Sequence, residues 1–334
     1  MRLVTYELPT PLGRVRRSGA LSDADDAVID LALARTALLA RRGLPHAAAL
    51  AAVETPVDML ALLGTGEHGI EAAREAVEAA VAEGVEQLGD GAVVRHAPGS
   101  VRLLAPVPRP NSLRDFLVVE EHVRRARRGR EIPPEWFEMP VHYKGNVDAV
   151  YGPEDLVPWP AYTDRLDYEL EVCAVVGKAG RRIAAADAPT HIVGYTIYND
   201  WSARDIQRRE MTVGLGPAMG KDFATSLGPC LVTADAFDRD AARMTARVDG
   251  ETWSSGGLGT MRFSFEEIIE WVSQEQTLLP GDHLGSGTVG GGCGLELDRW
   301  IAEGSVVELE VDGIGVLRNR VGRRGAGPEP AAGL

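Results

Sequence analysis

Cysteine is scarce in this chain of 334 residues: Cys173, Cys230 and Cys293 share no close spacing. That excludes a disulfide framework, a zinc ribbon and a Cys-x-x-Cys redox motif. Positive charge is short as well, with 35 Lys and Arg against 49 Asp and Glu, a net charge of −14. Without a global positive field, no nucleic-acid or anionic-membrane partner is expected. No run approaches the roughly 18 apolar residues of a membrane span, and the Ala-rich candidates are broken by Arg. The opening Met1-Arg2-Leu3-Val4-Thr5-Tyr6-Glu7 lacks a signal peptide's apolar centre. A cytoplasmic protein with reduced thiols is the expectation.

What is present falls into two parts. Residues 1–105 read as an accessory domain. Leu3–Leu8 and Val15–Leu21 suit strands around a Pro/Gly turn, and Ala27–Leu39, Ala47–Leu63 and Ile70–Val85 suit Ala/Leu-rich helices. Pro106, Pro108 and Pro110 stiffen a connector. Leu113–Arg130 reads as a helix that carries five arginines between Arg124 and Arg130. Beyond Leu166 the pattern turns to β over Leu166–Val176, His191–Tyr198, Cys230–Thr233, Thr245–Val248 and Val306–Val311. Two helices interrupt it, over Trp201–Met211 and Phe265–Ser273, and Asp249-Gly250, Pro280-Gly281 and Asp312-Gly313 suit hairpin turns. The α+β expectation is therefore a mostly antiparallel β domain over 106–324 with a helical lid. Residues 325–334, rich in Gly, Pro and Ala, read as a flexible tail.

The chemistry concentrates in Leu166-Asp167-Tyr168-Glu169-Leu170-Glu171-Val172. In a strand, Glu169 and Glu171 share a face with side chains roughly 7 Å apart. Neighbouring carboxylates in an apolar run resist ionisation unless a cation lies between them. Asp200, at the end of the apolar run Ile192–Tyr198, adds a third carboxylate. An all-oxygen set without paired His or Cys suits Mg²⁺, Mn²⁺ or Ca²⁺, not zinc. Arg204 and Gln207, three apart on a helix, share a face, and Lys221 follows within the glycine-rich Gly214–Phe223. Backbone of that kind lets an anionic ligand approach closely.

Tyr168-Glu169-Leu170-Glu171, then Asn199-Asp200-Trp201-Ser202-Ala203-Arg204-Asp205-Ile206-Gln207, Gly220-Lys221 and Gly285-Ser286-Gly287-Thr288 resemble the fumarylacetoacetate hydrolase superfamily. The resemblance covers about residues 111–321. It implies a mixed β-roll preceded by a smaller N-terminal α/β domain, and a homodimer. By the same resemblance Glu169, Glu171 and Asp200 match metal carboxylates, and Asp115 a fourth ligand. His122 matches a general base oriented by Glu296. Arg204, Gln207 and Lys221 match groups that steady an oxyanion, while Tyr143 and Thr288 match substrate contacts. A neutral histidine beside a carboxylate is a good base near pH 7, because the acid fixes its tautomer and stabilises its cation. The arginine run reads either as a solvated helix face or as a mobile lid that meets a substrate carboxylate.

The implied activity is divalent-metal-dependent hydrolysis of a C–C bond in a β-diketone or acylpyruvate-type acid through a metal-held enolate. A small diketo or oxo acid is the partner. The alternative on the same site is a 2-oxoacid decarboxylase, dehydratase or keto–enol isomerase. The fumarylacetoacetase branch carries tyrosines near the positions of Leu117 and Met211, which this chain lacks, so a different acyl group is implied. Cys293 reads as a small filler. Gly64–Gly69 and Gly285–Gly290 both satisfy Gly-x-Gly-x-x-Gly, but neither sits in a clear βαβ unit, which disfavours a dinucleotide site.

Overall fold

The computed structural model describes residues 1–24 and 26–326; most of the tail expected over 325–334 lies outside the described residues. The first hairpin forms as its composition requires. Arg2–Thr10 and Gly13–Leu21 pair antiparallel through a two-residue turn, Pro11-Leu12, with Thr10 opposite Gly13. Val28–Asp30 then adds to the hairpin, with Gly19 opposite Asp30. This shortens the helix expected over Ala27–Leu39 to Leu31–Arg41. The β-branched pair Val28-Ile29 takes a strand between Gly13–Leu21 and Arg95–His96, and Asp30 caps the helix by accepting from Leu33 N. The helix expected over Ala47–Leu63 is two, Ala47–Glu54 and Met59–Gly64. Pro56 breaks it, pushing Thr55 out of the helical region. Gly66–Glu83 completes the helical layer and ends at Gly84 in the left-handed conformation, φ 63°.

The main sheet has twelve strands. Its order runs from the N-terminal strands through Arg2–Thr10 to Thr225–Thr233, Ile192–Asn199, Leu170–Val176, Asp282–Gly285, Ser112–Phe116 and His142–Gly145. Arg2 and Leu3 pair with Val232 and Leu231, so the N-terminal hairpin is hydrogen-bonded into the same sheet as the strands beyond residue 105. A five-stranded sheet, Glu251–Gly257, Arg243–Val248, Val306–Val311, Gly315–Arg324 and Leu156–Trp159, faces it. Between them lies a core that includes Val172, Ile197, Phe265, Leu309 and Val311. Helix Phe265–Ser273 opens on a Ser264/Glu267 capping box. The expected α+β, mostly antiparallel character holds; Ser112–Phe116 is an exception, running parallel to Asp282–Gly285.

Two differences bear on the site. Leu113–Arg130 is not one helix: Ser112–Phe116 is a buried strand and only Glu120–Ala126 is helical. Trp201–Met211 likewise starts late, since Ser202–Ala203 pairs with Leu166–Asp167 and the helix begins at Arg204. In both cases strand pairing across the molecule overrides a local helical pattern. No helix among the described residues is long and apolar enough to cross a membrane.

Candidate active site

Strand pairing assembles the acidic cluster. Glu171 lies opposite Tyr198 on neighbouring strands, and Asp200 immediately follows that second strand. Asp115 sits on Ser112–Phe116, opposite Gly285. Glu169 immediately precedes its strand, and its backbone N–H donates to Asn199 Oδ1 at 3.0 Å. One carboxylate oxygen from each of Asp115, Glu169, Glu171 and Asp200 lies within 4.8 Å of the others, and all four residues are buried. Gly285 leaves the room this needs. A Cβ there would lie 2.6 Å from Asp115 Oδ1 and 3.3 Å from Glu171 Oε2.

Cations offset only part of this charge. Lys221 Nζ donates to Glu169 Oε2 at 2.6 Å and to Asp200 Oδ2 at 2.5 Å. Arg204 Nη2 lies 2.8 Å from Glu169 Oε1, close in charge but not aligned as a hydrogen bond. Tyr143 donates to Asp200 Oδ1 at 2.6 Å, and Thr288 to Glu171 Oε1 at 3.2 Å. Asp115 Oδ1 and Glu171 Oε2 are buried without any hydrogen-bond partner among the described residues. Burial and neighbouring carboxylates push both acids well above the usual range. Burial, with Glu169 beside it, also raises Asp200 to about 6, although Lys221 pulls the other way. Burial works on Glu169 in the same direction, but Lys221 and Arg204 outweigh it and hold that carboxyl well below its ordinary range. Orphaned, mutually repelling oxygens on an all-carboxylate set are what a hard divalent cation satisfies. The residues fit such an ion.

A second constellation stands beside the first. His122, on the short helix Glu120–Ala126, holds Glu296 Oε1 at 2.7 Å through Nδ1. Glu296 is itself fixed, its Oε2 accepting from Gly291 N at 2.7 Å. With a carboxylate as acceptor, Nδ1 carries the proton and Nε2 is left as the lone-pair nitrogen. Cys293 Sγ lies 3.5 Å from Glu296 Oε1. Burial pushes that thiol well up, in keeping with a small protonated filler.

Both constellations meet one cavity of about 910 Å³, whose lining includes Asp115, His122, Tyr143, Glu169, Lys221 and Thr288. Arg204 and Gln207 also line it, joined by a 3.1 Å hydrogen bond. Every site residue expected from the sequence therefore lies in or directly behind this cavity. The arginine run divides: Arg124 and Arg125 pair with Glu120 and Glu121, whereas Arg127, Arg128 and Arg130 face the cavity. Arg208 lines it too. Sequence reading missed Arg208, Asn199 and, above all, Asp167. The last shares period-2 parity with Glu169 and Glu171, which was the available signal.

Residues 112–322 match the family description fumarylacetoacetate (FAA) hydrolase C-terminal. The chain is 31% identical over 276 residues to the oxaloacetate tautomerase YisK of Bacillus subtilis, covering 80% of this chain and 87% of that protein. It is 35% identical over 225 residues to the mitochondrial oxaloacetate tautomerase FAHD2A of Homo sapiens, covering 66% and 69%. In fold it is similar to a fumarylacetoacetate hydrolase from Exiguobacterium antarcticum, with TM-score 0.69, 24% identity and coverage of 97% and 100%. A maleylpyruvate hydrolase from Sphingobium, in complex with manganese(II) and pyruvate, gives TM-score 0.68, 23% identity and coverage of 97% and 100%.

Proposed function

The chain belongs to the fumarylacetoacetate hydrolase family, and on that premise we propose that it is a divalent-metal-dependent keto–enol tautomerase of a small 2-oxo dicarboxylic acid. The observation that carries this is the pairing of a His–Glu dyad with a buried four-carboxylate cluster in which Asp115 and Glu171 keep an unpartnered oxygen, beside a cavity that His122, Asp115 and Glu169 line. The tautomerase relatives above, similar over most of the chain, favour this reaction over the hydrolysis expected from the motifs.

Asp115, Glu169, Glu171 and Asp200 would hold the ion. The oxygen donor set suits Mg²⁺, Mn²⁺ or Ca²⁺. Bound there, it would supply a Lewis acid for the oxygens of a 2-oxo acid. His122 takes a proton from the carbon beside the ketone with Nε2, and the imidazolium then gives it to the former ketone oxygen, completing the enol; in the opposite direction it takes the enol O–H proton and delivers it to carbon. Glu296 holds the ring's tautomer and stabilises the transient imidazolium. Arg204, Gln207 and Lys221 oppose the negative charge that develops on oxygen. Tyr143 and Thr288 hold the acids that frame the substrate.

Arg208 supports a second carboxylate on the substrate. It lines the cavity and pairs with no acid among the described residues, so it is free to meet a distal carboxylate with a charge-assisted fork. The chain is taken to divide into an accessory part over 1–105 and a catalytic part over 106–324, and to form a homodimer. The strongly exposed Val213 and Leu215, beside the cavity mouth, would gain from a second copy.

A second reading, hydrolysis of a C–C bond, is favoured by the size of the cavity. About 910 Å³ is near the upper end for ligand sites and leaves room for a longer acyl group and a water, from which His122 would take a proton. One assay separates the two. Enol oxaloacetate and a panel of acylpyruvates are each supplied with Mg²⁺, Mn²⁺ or Ca²⁺, and enol absorbance, pyruvate and carbon dioxide are followed. Faster enol decay without pyruvate or carbon dioxide supports tautomerisation. Stoichiometric pyruvate from an acylpyruvate would replace it with hydrolysis, and carbon dioxide release with decarboxylation.

A further inference from the structure

We propose that Asp167 is a positioning residue that couples the two halves of the site, its one carboxylate holding both Arg204 and the segment that carries Glu296. This rests on the roles given above to Arg204 and to the His122–Glu296 dyad.

Asp167 is fully buried, two residues before Glu169 on the short strand Leu166–Asp167. Arg204 Nε donates to its Oδ2 at 2.8 Å, and Arg204 Nη2 stands 2.7 Å from the same oxygen. The start of the segment that carries Glu296 meets the same carboxylate: Gly294 N donates to Oδ1 at 2.8 Å and Leu295 N to Oδ2 at 3.0 Å. Tyr168 N adds a third backbone donor at 3.0 Å. Gly294 and Leu295 open the short helix Gly294–Leu297, whose own N-cap residue, Cys293, offers no side-chain cap. Asp167, 127 residues away, supplies the missing acceptor for two of its first N–H groups. Glu296 is the next residue along.

The packing makes this arrangement specific. A Cβ at Gly294 would lie 2.6 Å from Asp167 Oδ1 and 2.2 Å from the carbonyl of Arg299, so only glycine lets the helix start this close. The strand pairing fixes the other end: Asp167 lies opposite Ser202, and Arg204 N donates to Arg165 O at 2.9 Å. One carboxylate thus sets the distance between the guanidinium that opposes developing charge and the acid that orients the base. An aspartate is required for both tasks together. The amide of an asparagine has one acceptor and two donors, and would turn N–H groups toward either Arg204 or the helix.

Asp167→Asn tests this in the metal-loaded full-length protein, by two readouts. The first is the proton resonance of the His122 Nδ1–H, held downfield by Glu296 in the wild type. It should be lost or broadened in the variant while the thermal midpoint stays above the assay temperature. The second is turnover. We expect kcat to fall about a hundredfold, as for a misplacement near 1 Å, with KM little changed. A double variant with Glu296→Gln should be no worse than the more impaired single. Gly294→Ala, which displaces the helix without touching Arg204, should reproduce the loss of the resonance and covers the case in which Asp167→Asn does not fold. An unchanged resonance in a folded variant, or additive effects on kcat, would overturn the proposal. Because the resonance needs no substrate, it decides the role of Asp167 even if no oxo acid is turned over and the functional reading itself fails.

Discussion

Two buried aspartates in the same sheet show how differently this protein treats a charge. Asp30, in the N-terminal region, is fully buried and fully answered. Arg17 reaches it with both Nε and Nη2, Tyr6 donates its hydroxyl at 2.5 Å, and Leu33 N caps onto it at 2.8 Å. Asp115, also buried, has an oxygen with no partner among the described residues, as does Glu171 beside it. Around them four acids share Lys221 and part of Arg204, which also serves Asp167. The first arrangement completes itself and only holds the fold. The second leaves buried oxygens unpartnered, and burial together with neighbouring carboxylates raises the Asp115 and Glu171 carboxyls.

The contrast can be broken most sharply at Glu171. Glu171→Gln keeps the shape but removes a ligand charge, and activity should fall roughly 10⁴-fold, the several kcal/mol of charge stabilisation a bound ion supplies. The same change relieves repulsion, so the metal-free variant should melt no lower than the metal-free wild type. A fall in that melting point would mean that Glu171 is structural like Asp30.

His122→Ala follows in size. Turnover should drop about 10²–10³-fold, within the span for general acid–base groups, while calorimetry finds divalent binding unaltered. Unchanged turnover would remove His122 from the chemistry.

Asp30→Ala should do the reverse of both. Leaving Arg17 without its acid should cost about 3–5 kcal/mol of stability, read by denaturant unfolding, with kcat of the folded protein unaltered. Arg208→Ala should leave the fold and kcat in place and raise KM for a dicarboxylic substrate about tenfold, worth roughly 1.4 kcal/mol. A monocarboxylic analogue should be indifferent to it.

The smallest effect concerns pH. Asp115, Glu171 and Asp200 have raised folded-state pKa values, so the metal-free folded protein keeps protons that the unfolded chain releases. That contribution is fully present below the ordinary carboxylate range near 4 and is lost as pH rises, for Asp200 through about 6. The melting temperature of the metal-free protein should fall by about a few degrees over that interval, and a divalent ion should restore it. A melting temperature that instead rises across the interval would contradict the raised values.

How much of this could be read from the chain depends on how far apart the interacting residues lie. Glu169, Glu171 and Asp200 announce themselves because each sits in or at the end of a short apolar run, and Arg204 with Gln207 because helical spacing is local. Asp115 is different. Its strand pairs in parallel with residues 282–285, and nothing nearby signals it, so the arginine-rich sequence that follows makes the stretch look helical. Asp167 was visible as a residue but not as a role, since its partners Gly294 and Leu295 come 127 and 128 positions later. The split of Ala47–Leu63 at Pro56, by contrast, needed only the geometry of proline.

The central claim is that the four carboxylates hold a divalent ion, and calorimetric titration of metal-stripped protein with Mn²⁺ tests it most directly. One ion per chain should bind, with proton release shown by dependence on the buffer's ionisation enthalpy, and the signal should vanish in Glu171→Gln. No saturable binding, or the same binding in that variant, would contradict it.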